Sequence, residues 1–527
     1  MMFTECYRDS CSAVALAARR GDCRLLQRLL RKGHSVDVKD NRGWSALHEA
    51  AAGGHAQCVR LLLSASDSCE DYVNSLTNDS ETPLYFAARN GHLQTVRHLI
   101  RAGADLNKMT NEYCTPLFDA VGSGHKEVVE LLVSEGAEVN ERCFIPGWSC
   151  LHHAVYKGHS EIVKFLLSLC SLEAVDYDGF TPLGLAAQYG QHHCLEILIN
   201  AGANVNFQAK DMATPLFFAA QGGHLSCVEL LLAHKADPNL YSNRNQWELP
   251  IHTAAWFSHI SILEKLIPVT DRECNRGEGK VSPVYLAVQS GQAESLRLLL
   301  REGYSPHAQS CREFGYSCPL DMAVCCNSLH LGNDFHLIQE IVKILLADGA
   351  HVSLATYILA LNSRVPEHLS LILEHAGLPK GEQLEALVQA ALDKVANASC
   401  WLPKLLKAGL DPLRFLQQKM LEEAESSILN FFLEFINWKT LPSILLRILS
   451  QRRAEGTWRP HKHFECVPDL THLCRLAVRA TVGSDALSKP SFVQQLPVPA
   501  LLHDYLQFND ISSTYTFKAS SNQESDN

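Results

Sequence analysis

Cys474 has two chemistries open to it. A thiolate can carry an acyl group from one thiol to the next, whereas a thiol buried among leucines has a raised pKa and is inert. The neighbours decide between them. In DLTHLCRLAVRA, Leu470, Cys474 and Val478 recur at i, i+4 and i+8. At about 100° per residue they form one apolar stripe on a helix. Leu473 and Ala477 widen that stripe, while Arg475 and Arg479 fall off it and are expected to stay solvated. The inert thiol fits this setting, and no nucleophile is expected. A segment of some forty residues cannot bury a sufficient core alone, so the preceding chain or a partner must cover the stripe.

Metal binding is the next chemistry to weigh, because the chain carries 25 histidines. His48, His152 and His252 recur in one slot of a repeated motif, and many others directly follow a glycine. In both settings an imidazole can hydrogen-bond backbone and neighbouring loops. His152-His153 and His192-His193 are adjacent pairs that face different directions on a helix, so a shared metal is not expected. The 19 cysteines are scattered without a C-x-x-C pair, and no structural zinc is expected. The N-terminal MMFTECYRDS shows no secretory pattern, so the thiols are expected to be reduced and cytoplasmic, with a nuclear pool left open. No phosphate loop, G-x-S-x-G elbow or H-E-x-x-H helix is present. No catalytic set and no cofactor are expected.

Composition narrows the classes further. The 527 residues are 46% hydrophobic and 20% charged, with a net charge of -11. That balance argues against nucleic acid, which needs a basic face. The most apolar stretch, 428–438, is interrupted by Asn430 and Glu434, so no membrane insertion is expected.

The elements that must position these residues repeat. Leu47, Leu84, Leu117, Leu151, Leu183, Leu216, Ile251, Val284 and Leu320 head similar phrases at intervals of 37, 33, 34, 32, 33, 35, 33 and 36. Leu16 lies 31 before the first. In Thr82-Pro83, Thr115-Pro116, Thr181-Pro182 and Thr214-Pro215 the Thr caps a helix and Pro takes its first turn. A small Ala pair follows, then Gly-His turns, then outer helices such as VVELLV and IVKFLL ended by Gly103, Gly136, Gly202, Gly303 and Gly349. TPLYFAA, SCLHHAV and TPLFFAA at a period near 33 resemble the ankyrin repeat. An all-α ankyrin-repeat solenoid is therefore expected over 9–377, with about 11 repeats, the first and last degenerate. CCNSLHLG and Asn333-Asp334 suggest a loop insertion in the tenth. Residues 378–450 read as helical linker, with a further degenerate repeat open at 382–413, and 511–527 as a disordered polar tail.

Trp44, Trp148, Phe180 and Trp247, with Tyr113 nearby, precede the inner helices and are candidate substrate-binding residues. The alternative is that each packs on the next hairpin.

Behind the repeats, Leu470-x-x-x-Cys474-x-x-x-Val478 resembles an Elongin B/C-binding box, and Leu496-Pro497-Val498-Pro499 a Cullin-5 box. Together, in that order, they resemble a small three-helix SOCS box, placed at 451–510, and the chain resembles the ankyrin repeat and SOCS box family. The resemblance implies a substrate-recognition subunit of a ubiquitin ligase. Leu470 and Cys474 would enter Elongin C with Val478 in support, and Elongin B would come with it. Leu496, Pro497 and Pro499 would select Cullin-5 with its RING partner. A protein substrate of unknown identity would sit on the repeats and be ubiquitinated by other chains. Asp469 departs from the small residue or Pro often found there and is expected to soften Elongin affinity at most. The competing reading is a non-catalytic scaffold or competitive inhibitor whose C-terminal helices only cap the solenoid.

Overall fold

The computed structural model describes residues 11–66, 69–141, 147–242, 248–272, 281–308, 315–325, 335–363, 365, 367–465, 472–473 and 475–478. Among them the regular structure is helical, apart from bridge residues such as Ser242 and Glu248, which pair with each other, and Tyr316. The chain divides into two compact units, Met1–Asp271 and Arg272–Asn527.

The first unit is a stack of helix pairs. Inner helices Ala13–Arg19, Ala46–Ala52, Pro83–Arg89, Pro116–Gly122, Cys150–Lys157, Pro182–Gln188, Pro215–Gly222 and Pro250–Trp256 pack in sequence, each with an outer helix behind it. The Thr-Pro entrances work as expected. Thr82 Oγ1 accepts from Tyr85 N at 3.1 Å, and Thr115, Thr181 and Thr214 cap in the same way. Fully buried Ala50, Ala51, Ala87 and Ala88 let the inner helices approach, while Leu62, Leu99, Leu132 and Leu231 bury the outer helices' inward faces. Each such leucine contributes about 2 kcal/mol of burial, and no single pair holds enough of them to stand alone. Gly103 and Gly136 end outer helices at φ 89° and 98°, where a side chain would be strained.

Two ladders of side chains lock neighbouring pairs. At Ser45 and Ser149, which stand where other repeats have Thr-Pro, histidine completes the cap. His48 Nδ1 accepts from Ser45 N at 3.1 Å, and its Nε2 donates to Ser75 O in the next repeat at 3.0 Å. His152 bridges Ser149 and Phe180 O likewise. The histidines after the glycines reach backwards instead. His55 Nε2 donates to Arg19 O at 3.1 Å, His92 to Ala52 O at 3.0 Å, His125 to Arg89 O at 3.0 Å, His159 to Gly122 O at 3.1 Å and His224 to Gln188 O at 3.0 Å.

The interval of 37 between Leu47 and Leu84 has a structural cause. An extra short helix, Cys69–Val73, is inserted between the second and third pairs.

In the second unit the same two layers run through Pro283–Gln289, Pro319–Cys325, Leu354–Asn362 and Glu382–Leu392, with outer helices Ala293–Arg301, Phe335–Ala347, Glu367–Ala376 and Ala398–Lys407. Residues 349–377 and 382–413 thus each hold a helix pair, and Ser353 caps the first through a capping box with Thr356. The insertion expected near Asn333-Asp334 lies outside the described residues. Beyond these pairs, Gln418–Glu423, Ser426–Leu433 and Ser443–Ala454 are tied by polar contacts. Arg452 donates to Leu421 O at 2.7 Å and Ala424 O at 2.8 Å. Buried Asn430 accepts from Trp458 Nε1 at 2.9 Å and donates to Arg459 O at 2.9 Å.

Candidate partner-binding surfaces

The hairpin aromatics are half-buried, and each leans on the following repeat. The Trp44 ring lies 4.3 Å from Phe86, with the Arg42 guanidinium 4.5 Å over its face. Trp148 Nε1 donates to Asp176 at 3.1 Å, and Phe180 meets Phe218 at 4.6 Å. Tyr113 differs. It stands at φ 61° and is 52% exposed. Trp247 lies outside the described residues.

The structure adds a row that hairpin positions alone do not reveal. From Trp148 the rings continue to Tyr156 at 4.8 Å and from there to Tyr189 at 4.7 Å, stepping from one inner helix to the next. Tyr189 is 45% exposed, and Lys157 sits 4.9 Å over Tyr156. The sequence signal is a tyrosine near the end of consecutive inner helices, in AVYKG and AAQYG. Pre-ordered aromatics with one open face are what protein interfaces use as anchors.

The inserted helix walls a polar cleft of about 400 Å³. Asp37, Asp71, Lys39, Tyr72 and Ser75 line it. Lys39 donates to Leu76 O at 2.9 Å and Tyr72 to Val36 O at 3.2 Å. Two carboxylates against one ammonium suit it to a basic side chain.

Titratable groups elsewhere are tuned away from catalysis. Burial pushes the Cys194 and Cys227 thiols up to about 11 and Cys318 to about 12, and such thiols are poor nucleophiles. Burial also lowers His48, His153 and His368 to about 4, keeping them neutral. His192 and His193 are not isolated from each other as a pairwise reading implies. Together with Glu196 they bring ligand atoms within 4.8 Å, because the residue at i+4 lies angularly between i and i+1. His193 and Glu196 are exposed.

In the box region, His472–Leu473 and Arg475–Val478 are described and helical. His472 is buried, its Nε2 3.3 Å from Ile436 O and its ring 4.9 Å from Trp438. Arg475 is also buried at 4% exposure, not solvated as its place off the stripe suggests. The reason is that this helix lays its off-stripe side against its own chain, and an arginine stem can cover apolar surface. Leu473 and Val478 are half-buried and Ala477 is exposed. Leu470, Cys474, Leu496, Pro497 and Pro499 lie outside the described residues.

Two family models match the chain. Ankyrin repeats, three copies at a time, match 14–110, 69–143, 117–209, 151–242 and 201–278. The SOCS box matches 466–507. The chain is similar over nearly its whole length to Ankyrin repeat and SOCS box protein 3 of Homo sapiens, 44% identical over 517 residues and spanning 98% of each chain. The Bos taurus protein of that name is 43% identical over 513 residues, covering 97% of this chain and 96% of the other. The chain belongs to the ankyrin repeat and SOCS box family. Ankyrin repeat and SOCS box protein 14 of Mus musculus is a more distant likeness, 28% identical over 376 residues, 68% of this chain and 49% of that one. In this family the ankyrin repeats imply a protein substrate and the SOCS box implies Elongin BC and cullin binding, which together make a substrate-recognition adaptor of cullin-RING ligases. Membership also agrees with a non-catalytic role. Among the described residues, no helix is long and apolar enough to cross a membrane.

Proposed function

We propose that this chain is the cytoplasmic substrate-recognition subunit of a Cullin-5/Elongin B/Elongin C ubiquitin ligase that promotes ubiquitination and degradation of a target protein. One observation carries the reading. The segment matched as a SOCS box holds Leu470-x-x-x-Cys474-x-x-x-Val478 followed by Leu496-Pro497-Val498-Pro499. Leu470 and Cys474 enter Elongin C, Val478 supports them, and Leu496, Pro497 and Pro499 choose the cullin. Arg475 and His472, the buried side of the helix, are off the stripe, which supports a stripe left for a partner.

The substrate lies on the aromatic side of the repeats, against Tyr113, Trp148, Tyr156 and Tyr189, with Trp44, Phe180 and Trp247 as further contacts. The ligase contribution is effective concentration. Stacked repeats fix the distance between a bound target and the ubiquitin-conjugating enzyme brought by the cullin's RING partner, and other chains make the bonds.

A second reading has one observation in its favour. The box helix does pack on its own chain through His472, as the cap of a scaffold or competitive inhibitor would. Co-purification separates the two. Elongin B/C and Cullin-5 are expected with the wild type and lost with Leu470→Pro/Cys474→Phe, whereas Leu496→Ala/Pro497→Ala keeps the Elongins and loses the cullin. Unchanged recovery from the first variant would leave the capping role.

A further inference from the structure

Cys23 is the first residue of the outer helix Cys23–Arg31, and Cys58 is the third of Ala56–Ser64, the outer helix beside it. Their sulfurs are 3.2 Å apart, inside ordinary non-bonded sulfur contact. A disulfide measures about 2.05 Å, so closure asks for an approach of only about 1.1 Å. We propose that Cys23 and Cys58 are a peroxide-responsive thiol pair that closes to a reversible disulfide, stapling the outer helices of the first two repeats. The inference is independent of the ligase reading.

The two thiols are unequal in a way that sets their roles. Cys23 is half-buried, within reach of a small oxidant, while Cys58 is fully buried. Burial and the hydrogen bond with Cys23 push Cys58 up to about 12, so Cys58 is not where the oxidant acts first. The Cys23 thiol gives up its proton to solvent and the thiolate attacks hydrogen peroxide; the O–O bond breaks, Cys23 becomes a sulfenic acid, and the departing hydroxide takes back a proton and leaves as water. The Cys58 sulfur then attacks the Cys23 sulfur. The S–S bond forms, the S–O bond breaks, and the hydroxyl departs with the Cys58 proton as a second water. Two thiols have lost two electrons and one peroxide has gained them. A dithiol reductant reverses the step by exchange.

Contact, rather than cysteine content, makes the pair unusual. The chain has 19 cysteines, yet Cys194 and Cys227, which hold the place of Cys58 in their own outer helices, face no cysteine in the place of Cys23. The position also gives a staple something to do. The first repeat has a neighbour on one side only in the described array, and terminal repeats open most readily.

The full-length protein, reduced and then exposed to hydrogen peroxide, tests this directly. After alkylation and tryptic digestion, peptides 21–24 and 43–60 are expected as one disulfide-linked species that dithiothreitol removes. Amide exchange in Cys23–Arg31 and Ala56–Ser64 is expected to slow roughly tenfold or more on oxidation. Cys23→Ser, at a half-exposed position where Ser suits a helix start, is expected to fold and to show neither change. Both thiols alkylated after peroxide, Cys23 recovered as a sulfinic acid, or either sulfur joined elsewhere would overturn the proposal. So would slowed exchange that persists in Cys23→Ser.

Discussion

A β-carbon added to Gly54 would stand 2.5 Å from Nδ1 of His92 in the next repeat. Gly54 also sits at φ 71°. Gly103 is left-handed too, at φ 89°, but nothing lies within 4 Å of its missing β-carbon. The pair separates backbone strain from collision. Gly103→Ala is expected to cost about 1 kcal/mol from conformation alone. Gly54→Ala should cost about 3 kcal/mol, because the His92 ring must also leave its bond to Ala52 O. Urea denaturation of the two variants measures the difference, and equal losses would remove His92 as the cause.

Acid should loosen the protein well before carboxylates titrate. His48, His153 and His368 fall from 6.5 to about 4, in each case chiefly through burial. A base whose folded value is lowered holds its proton more weakly than the unfolded chain does. Between these values the unfolded state therefore binds more protons, and stability rises with pH. The contribution is complete above about pH 6.5 and is lost as pH falls towards 4. Its ceiling is on the order of 3 kcal/mol per histidine. Urea midpoints at pH 7.5, 5.5 and 4.5 should drop steadily, and His153→Phe should flatten part of the slope.

The repeats were legible because their physics is local. Thr-Pro caps, alanine pairs and a period near 33 each act within one helix pair, so the sequence states them directly. What crosses between repeats was harder to see. That Trp44 and Phe180 lean on Phe86 and Phe218 depends on ring angles no spacing encodes. The row of Trp148, Tyr156 and Tyr189 joins residues 33 apart on two inner helices to a hairpin tryptophan, and reading the hairpins alone leaves it out. Its charge and its place off the stripe put Arg475 in water, but the apolar area of its stem, which charge does not register, takes it inside. Adjacency in sequence says that His192 and His193 point apart, and only the helix turn that sets Glu196 beside both brings the three together.

The Asn430–Trp458 contact is the test of the C-terminal packing. Asn430→Ala removes the acceptor of Trp458 Nε1 and one donor to Arg459 O, leaving the buried indole N–H unmatched. A loss of about 3 kcal/mol is expected in thermal denaturation. Adding Trp458→Phe should worsen this by less than Trp458→Phe does alone, since the orphaned N–H has gone.

Tyr189 separates recognition from folding. With 45% of its surface exposed, Tyr189→Ala is expected to leave the melting temperature almost unchanged while weakening target capture about tenfold. Trp148→Ala should lower both, because it also breaks the bond to Asp176. A pull-down of the target beside a melting curve reads the two effects apart, and unaltered capture by both variants would place the target elsewhere.

At the sixth helix pair the backward-reaching histidine is replaced. Gln191 Nε2 donates to Tyr156 O at 3.1 Å, where its counterparts use an imidazole. An amide carries no titratable proton, so this joint asks only for a donor of suitable reach. From the second helix pair to the eighth, each module thus brings its own latch and finds the keeper in a main-chain oxygen of its predecessor. Such a chain can lengthen by duplication without first redesigning its core, and the new copy would click shut against whatever came before it.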